Sequence, residues 1–243
     1  MRVFRGRAGT IAADRAVSDR LLEVAADGEP AVRVWTPHRQ VAFGRRDARL
    51  EGYQRARVAA REMGFPPVER SVGGRAVAYD GETTLAFARG EPIDDFREGT
   101  AERYERLTAD VEGALTDLGL EVDRGEPADA FCPGSHSLQT DGGKVAGMAQ
   151  RVQRDAALVS GVLLVSATDE LVATLEVVYD SLAVPFEPDS VGSVAAAGGP
   201  TDPDRVRVSL EDALVGDRPV LETRIDGSHR PPERTPNSRR DLS

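Results

Sequence analysis

Apolar residues between positions 10 and 26 fall at Ile11, Val17, Leu21, Leu22 and Val24, mostly at helical spacing, with Thr10 placed to cap the first free N–H groups. The pattern predicts a helix over 10–26. Two short β-branched or aromatic runs follow, AVRVWTP at 31–37 and QVAFG at 40–44, and the Pro-His-Arg between them predicts a hairpin. Helical character returns over 50–63 and stops at Gly64 and the prolines after Phe65. Residues 66–90 read as three strands, broken first by the glycine pair 73–74 and then by the tight turn Asp80-Gly81. Thr100 to Leu118 is amphipathic, with Tyr104, Leu107, Val111, Leu115 and Leu118 on one side. Residues 144–166 suit two strands joined by the polar turn 153–155, and helical segments are expected at 168–181, 188–196 and 208–215. From 224 to 243 the chain is polar and proline-rich, with too little apolar surface to offset ordering, which predicts a disordered tail. Hairpins, mixed strands and interspersed helices describe an α+β domain over 1–223, helical from about 186, rather than a regular βαβ repeat.

Charge narrows the partners. The chain has 41 acids against 31 basic residues, a formal charge of -10, and every basic residue except Lys144 is arginine. No basic block stands clear of neighbouring acids, which argues against nucleic acid. An acidic, arginine-rich composition suits a halophilic, salt-adapted cytoplasm; a high-GC codon bias gives the same arginine preference. One cysteine excludes an internal disulfide, so nothing calls for an oxidising compartment. The N-terminus has no signal-peptide core, and the apolar run at 156–167 is too short to span a bilayer. The expectation is a cytoplasmic protein with no membrane partner.

Against this background the stretch FCPGSHSLQTDGGKVAG, 131–147, stands out, because it holds both the single cysteine, Cys132, and the single lysine, Lys144. Cys132 sits in a Pro-Gly loop and Lys144 begins a strand after two glycines, so the two can face each other across a hairpin. A nearby ammonium stabilises a thiolate, and the same ammonium can polarise an acyl carbonyl. The ordinary alternatives are a small buried hydrophobe and a solvated surface lysine. His136 lies four residues from Cys132 as a candidate base. His38 and His229 have no acidic or cysteine neighbours at ligand spacing, which argues against a zinc site. In RSVGGRAVAYD, 70–80, the glycine pair leaves backbone N–H groups free to approach an anion or a carbonyl; a bend or bulge is the plainer reading.

The combination of RSVGGRAVAYD with GGKVAGMAQR, 142–151, resembles the biotin/lipoate protein ligase superfamily in its lipoate ligase and octanoyltransferase branch. TIAADRAVSDRLL and VWTPHRQVAFGRRD resemble the first helix and hairpin of that branch, so the likeness covers roughly 8–185. Within the branch, FCPGSHSL ahead of GGKVAGMAQRV is similar to the cysteine-dependent octanoyl/lipoyl amidotransferases. Two departures stand out: Val72 precedes the glycine pair where serine is common, and Tyr79 replaces a common histidine.

The resemblance implies a curved mixed sheet with packed helices, and an acyl tunnel closed by the 70–80 loop. It implies Cys132 as the acyl-accepting nucleophile and Lys144 as the group that orients the acyl carbonyl. Substrate-binding positions carried over from the motifs are Arg70, Gly73, Gly74, Arg75, Ala76, Val77, Asp80, Val145, Gly147, Met148 and Ala149; Val77, Val145 and Met148 are candidates for lining the acyl slot, with ordinary core packing as the equal alternative. Arg45, Arg46 and Arg75 are candidates for docking an acidic carrier. Expected partners are lipoyl-carrier proteins, namely the glycine cleavage H protein and the acyltransferase subunits of 2-oxoacid dehydrogenases. The expected activity is transfer of octanoyl or lipoyl groups to carrier lysines without a cofactor. The alternatives are an ATP- and Mg-dependent lipoate-protein ligase catalytic subunit, and a non-catalytic module that binds lipoyl domains.

Overall fold

The computed structural model describes residues 1–70 and 73–227. Among these residues eleven strands and five α-helices form two sheets with helices packed around them. The strands are β1 (Arg2–Gly6), β2 (Ala31–Trp35), β3 (Gln40–Phe43), β4 (Pro67–Glu69), β5 (Val77–Tyr79), β6 (Thr84–Pro92), β7 (Asp123–Arg124), β8 (Ser137–Thr140), β9 (Gly143–Val152), β10 (Ala156–Leu164) and β11 (Leu221–Ile225). The helices are α1 (Ile11–Ala26), α2 (Tyr53–Glu62), α3 (Thr100–Asp117), α4 (Asp169–Leu182) and α5 (Pro203–Val215). The large sheet runs β11-β1-β2-β6-β10-β9-β8-β7, and the small one β4-β3-β5. Both are mixed: β1 pairs in parallel with β2 and β11, and β3 in parallel with β4, while the other pairs are antiparallel. The α+β class expected from the sequence is the one observed.

Both faces of the large sheet are covered, and side-chain alternation sorts the core accordingly. On β6, Leu85 and Phe87 point to the layer of α3 and α5, where Leu107, Val111, Leu210 and Leu214 meet them. Ala86 and Ala88 point to α1 and its Val17, Leu21 and Leu22. A third core joins α2, α4 and the small sheet through Phe43, Phe65, Val178 and Tyr179. One buried ion pair fixes α1 on the sheet. Arg33, fully buried on β2, donates to Asp14 Oδ1 at 2.5 Å, and Trp35 Nε1 donates to Asp14 Oδ2 at 2.9 Å. Burial pulls the Arg33 guanidinium below its ordinary value, an effect that Asp14 only partly offsets.

Several expectations hold in detail. Thr10 caps α1, its side chain accepting from the Ala13 N–H at 3.2 Å, and β9 and β10 form the hairpin expected over 144–166. Others need correction. The runs 31–37 and 40–44 are strands but not a hairpin, because β2 already has β1 on one edge and β6 on the other; β3 instead takes β4 and β5. For the same reason the three strands of 66–90 are not consecutive neighbours. The helix expected at 188–196 is a single 3-10 turn, Pro188–Ser190, after which the backbone turns to β9 through a bridge between Val191 and Lys144. The last helix begins earlier than expected, at Pro203, where Asp202 caps it by accepting from the Asp204 N–H at 3.0 Å. Arg224 and Ile225, assigned to the tail, belong to β11. Residues 228–243 of the expected tail lie outside the described residues, His229 among them.

Candidate active site

A cavity of about 660 Å³ is lined by residues of both sheets, by α1 and by the loop that enters β8. Cys132 lies on its wall in a left-handed backbone conformation, φ 43°, a region that costs a non-glycine residue on the order of 1–3 kcal/mol unless its surroundings impose it. Here they do. The Cys132 N–H donates to Tyr179 Oη at 2.5 Å, and that hydroxyl donates to the Ala76 carbonyl at 3.0 Å, tying the loop to α4 and β5. The Cys132 carbonyl accepts from Lys144 Nζ at 2.9 Å. Burial, with the negative charge of a Cys132 thiolate adding to it, pushes the Tyr179 hydroxyl far above its ordinary value, so it remains a donor.

Lys144 is fully buried at the start of β9. Its ammonium donates to Glu126 Oε2 at 2.6 Å, to the Cys132 carbonyl at 2.9 Å and to the Phe131 carbonyl at 3.0 Å. An ammonium has three N–H bonds, and these three acceptors take them all. Glu126 also gathers the loop: it accepts from the Gly134 N–H and from Ser137 Oγ, both at 2.8 Å.

The sulfur has different neighbours. Arg70 Nη2 lies 2.9 Å from Cys132 Sγ, and the Arg75 N–H lies 3.3 Å from it. Arg70 Nη2 also donates to the Arg75 carbonyl at 2.5 Å. Burial works against the Arg70 cation, but negative charge on Cys132 and then Tyr79 outweighs it, and its value is raised. Gly74, φ 97°, is required here on two counts. The backbone is left-handed, and a Cβ would fall 2.3 Å from Arg70 Nη2 and 2.6 Å from Cys132 Sγ.

Residues 11–212 match the family of the lipoyl protein ligase A/B catalytic domain. The chain belongs to that family. It is 38% identical over 141 residues to an octanoyl-[GcvH]:protein N-octanoyltransferase of Kyrpidia tusciae, a match covering 58% of this chain and 47% of the relative. A protein of the same name from an Exiguobacterium species is 28% identical over 204 residues, 82% of this chain and 68% of its own. The chain thus spans about half the length of the first of these relatives. A crystal structure of lipoate-protein ligase A bound with ATP superimposes with a TM-score of 0.72 at 20% identity, covering 93% of this chain and 88% of that one. That likeness shows the shared fold.

This lipoyl ligase-type domain gathers Cys132, Lys144, Arg70, Gly73, Gly74, Val77, Gly147, Met148 and Ala149 along the cavity. It does not bring Arg75, Ala76, Asp80 or Val145 to that wall. Val145 alternates away from Lys144 on β9 into the core beneath α3, and Ala76 is buried beside α4. The Arg75 side chain turns to the buried Asp47, 3.3 Å away, leaving only its backbone N–H at the sulfur. Asp80 closes the turn into β6, accepting from the N–H groups of Glu82, Thr83 and Thr84 at 3.0, 2.9 and 2.9 Å. Of the docking candidates, Arg46 reaches the cavity and Arg45 does not line it. His136 lines the cavity with its ring stacked on Tyr104, centroids 3.9 Å apart.

Sequence reasoning missed Glu126 and Tyr179. A buried lysine demands a counter-charge, but nothing in a chain of 41 acids marks Glu126 as the one that provides it. Tyr179 is one apolar position among several on an amphipathic helix. Among the described residues no cluster of His, Cys, Asp and Glu is arranged to hold a metal, and no helix is long and apolar enough to cross a membrane.

Proposed function

We propose that this domain transfers octanoyl or lipoyl groups between lysines of lipoyl-carrier proteins through a thioester on Cys132. One observation carries the reading: the sole cysteine sits in an enforced left-handed turn on the wall of a cavity, its sulfur facing a guanidinium and a backbone N–H. The thiolate is the nucleophilic form of a cysteine, and both donors are placed to hydrogen-bond it. The thiolate attacks the carbonyl carbon of the donor's acyl-lysine amide, the C–N bond breaks, and the departing amine takes up a proton. The acceptor's neutral lysine amine then attacks the thioester, the C–S bond breaks, the thiolate returns, and the new amide nitrogen gives its extra proton to water. The cavity, with Ala42, Val68, Val77 and Leu158 among its apolar lining, suits an acyl chain.

The names of the relatives support the same chemistry and point to an H-protein donor. Acceptors in this reading are the lipoyl domains of 2-oxoacid dehydrogenase acyltransferase subunits, and the setting is the cytoplasm. No cofactor enters either step. Incubation with octanoylated H protein and an acceptor lipoyl domain tests the proposal: transfer is expected with wild type and is lost in Cys132→Ala. Transfer from free acid that consumes ATP and survives loss of the thiol would select the ligase alternative, and binding of lipoyl domains without transfer the non-catalytic one.

A further inference from the structure

We infer that the outer edge of β11 pairs antiparallel with β11 of a second copy of this chain, about a two-fold axis at Thr223, joining two eight-stranded sheets into one. The inference is independent of the chemistry proposed for Cys132. β11 ends the large sheet, and among the described residues no strand pairs with its outer side. At its other end the sheet finishes in β7, which is two residues long, and so short an edge offers little to pair with. β11 lacks that protection. Its five residues keep an unbroken register with β1 from Leu221 to Ile225, and Leu221 is 53% exposed.

The direction of its backbone groups decides how a partner strand can dock. The Leu221 N–H donates to the Met1 carbonyl at 3.0 Å, toward β1. Along a strand these groups alternate sides, so Leu221, Thr223 and Ile225 turn theirs to β1, while Glu222 and Arg224 turn their N–H and C=O groups outward. An antiparallel partner must set its own outward residues directly opposite these. A two-fold at Thr223 does so: Glu222 faces Arg224 of the second copy and Arg224 faces its Glu222, each couple exchanging two hydrogen bonds. Leu221 then meets Ile225 of the second copy, and the two threonines meet each other.

Side-chain charge selects the same register. Glu222 and Arg224 share the face of Arg5, whose Nη1 donates to Glu222 at 2.7 Å. Arg224 Nε also donates to Glu222 at 2.6 Å, yet the arginine side chain stays 88% exposed and can reach across the axis. Charges on a sheet edge ordinarily discourage pairing. Here the two are of opposite sign and symmetric about Thr223, so each would lie opposite its complement in a reversed copy of the same strand, an arrangement that stabilises a strand pair, whereas like charges oppose it. On the other face the exposed Leu221 gains Ile225 of the second copy, which is buried against the core beneath α1. The cysteine loop enters β8, next to the far edge of the sheet, and stays clear of the contact.

Sedimentation velocity of the full chain, from micromolar concentrations to about 0.1 mM, tests the pairing. The wild type should pass from monomer to dimer as concentration rises. Glu222→Arg sets arginines opposite arginines across the axis, and Arg224→Glu sets carboxylates opposite carboxylates. Each should raise the dimer dissociation constant by on the order of tenfold or more, because the two-fold counts every change twice. An equimolar mixture of E222R and R224E restores both opposite-charge couples and should dimerise as the wild type does, a rescue that a merely damaged strand cannot show. If either variant fails to fold, as judged by circular dichroism, Arg224→Pro removes an outward N–H and none that faces β1, and it should abolish the dimer. A wild type that stays monomeric throughout, folded charge variants that dimerise like the wild type or are not rescued by mixing, or a wild-type dimer in folded R224P, overturns the inference.

Discussion

Replacing Glu126 by glutamine isolates the energetics of the buried lysine. The Lys144 side chain is 1% exposed and its counter-charge among the described residues, Glu126, is 18% exposed. Glutamine presents one acceptor oxygen where the carboxylate offers two, yet the Lys144 ammonium, Ser137 Oγ and the Gly134 N–H all donate to this group. Its amide NH2 must therefore face a donor. Removing one partner of a buried ion pair costs about 3–5 kcal/mol, because the other charge is stranded. Two carbonyls stay on the ammonium and some water reaches position 126, so the loss falls below that range and we expect about 2–3 kcal/mol. At ~2–4 °C per kcal/mol for a domain of this size, the melting temperature should fall by roughly 4–12 °C.

Urea unfolding with an unchanged m-value measures the loss, and a cycle with Lys144→Met assigns it. E126Q/K144M should be more stable than E126Q alone, since removing the ammonium removes the stranded charge. A loss below about 0.5 kcal/mol, the range of an ordinary surface change, or a strictly additive cycle, would mean that no charge is stranded at Lys144.

Other consequences are equally specific. Tyr179→Phe leaves the Cys132 N–H without its hydroxyl partner, so we expect a loss of about 1–3 kcal/mol in urea unfolding and slower acyl transfer; unchanged transfer would detach Tyr179 from the site. Gly161→Ala sets a Cβ 2.2 Å from Phe87 Cζ and 2.8 Å from the Gly147 carbonyl on the cavity wall. It should cost about 1–3 kcal/mol by overpacking and raise KM more for octanoyl than for short acyl donors; equal effects on both would exclude Phe87 as a wall of the acyl slot. Burial pushes the Asp80 carboxyl up, but hydrogen bonds from the Thr83 side chain and the N–H groups of Glu82, Thr84 and Thr83 outweigh it and hold the group below its ordinary value. Its stabilisation is therefore full above the unfolded value of about 3.9 and is lost as pH falls through the lower folded value. The stability gap between wild type and Asp80→Asn should be present at about pH 7 and shrink at about pH 3; a constant gap contradicts this.

Much of the site was legible because scarcity made it so. One cysteine and one lysine, twelve residues apart in a lysine-poor chain, direct attention to a pair that does line one cavity. Spacing alone did not show that the contact runs through the carbonyls of Phe131 and Cys132, since the side-chain direction depends on the left-handed turn at Cys132 and on Glu126. The helices α1 and α3 were readable from periodicity and a cap. Strand partners were not. Whether β3 pairs with β2 depends on β1 and β6 occupying both edges of β2, a tertiary fact with no local signal. In β11 only Ile225 is buried, and the strand is held by its backbone pairing with β1, so its side chains carry no pattern to read.

The central claim is that an acyl group rests on the Cys132 sulfur during transfer. Intact-mass and peptide analysis, after mixing the protein with octanoylated H protein and quenching in acid, tests it most directly. The account predicts one octanoyl group on Cys132, released by hydroxylamine and discharged when an acceptor lipoyl domain is added. Acyl transfer at the wild-type rate by Cys132→Ala, with no acyl group on the wild-type cysteine at any time, would contradict it.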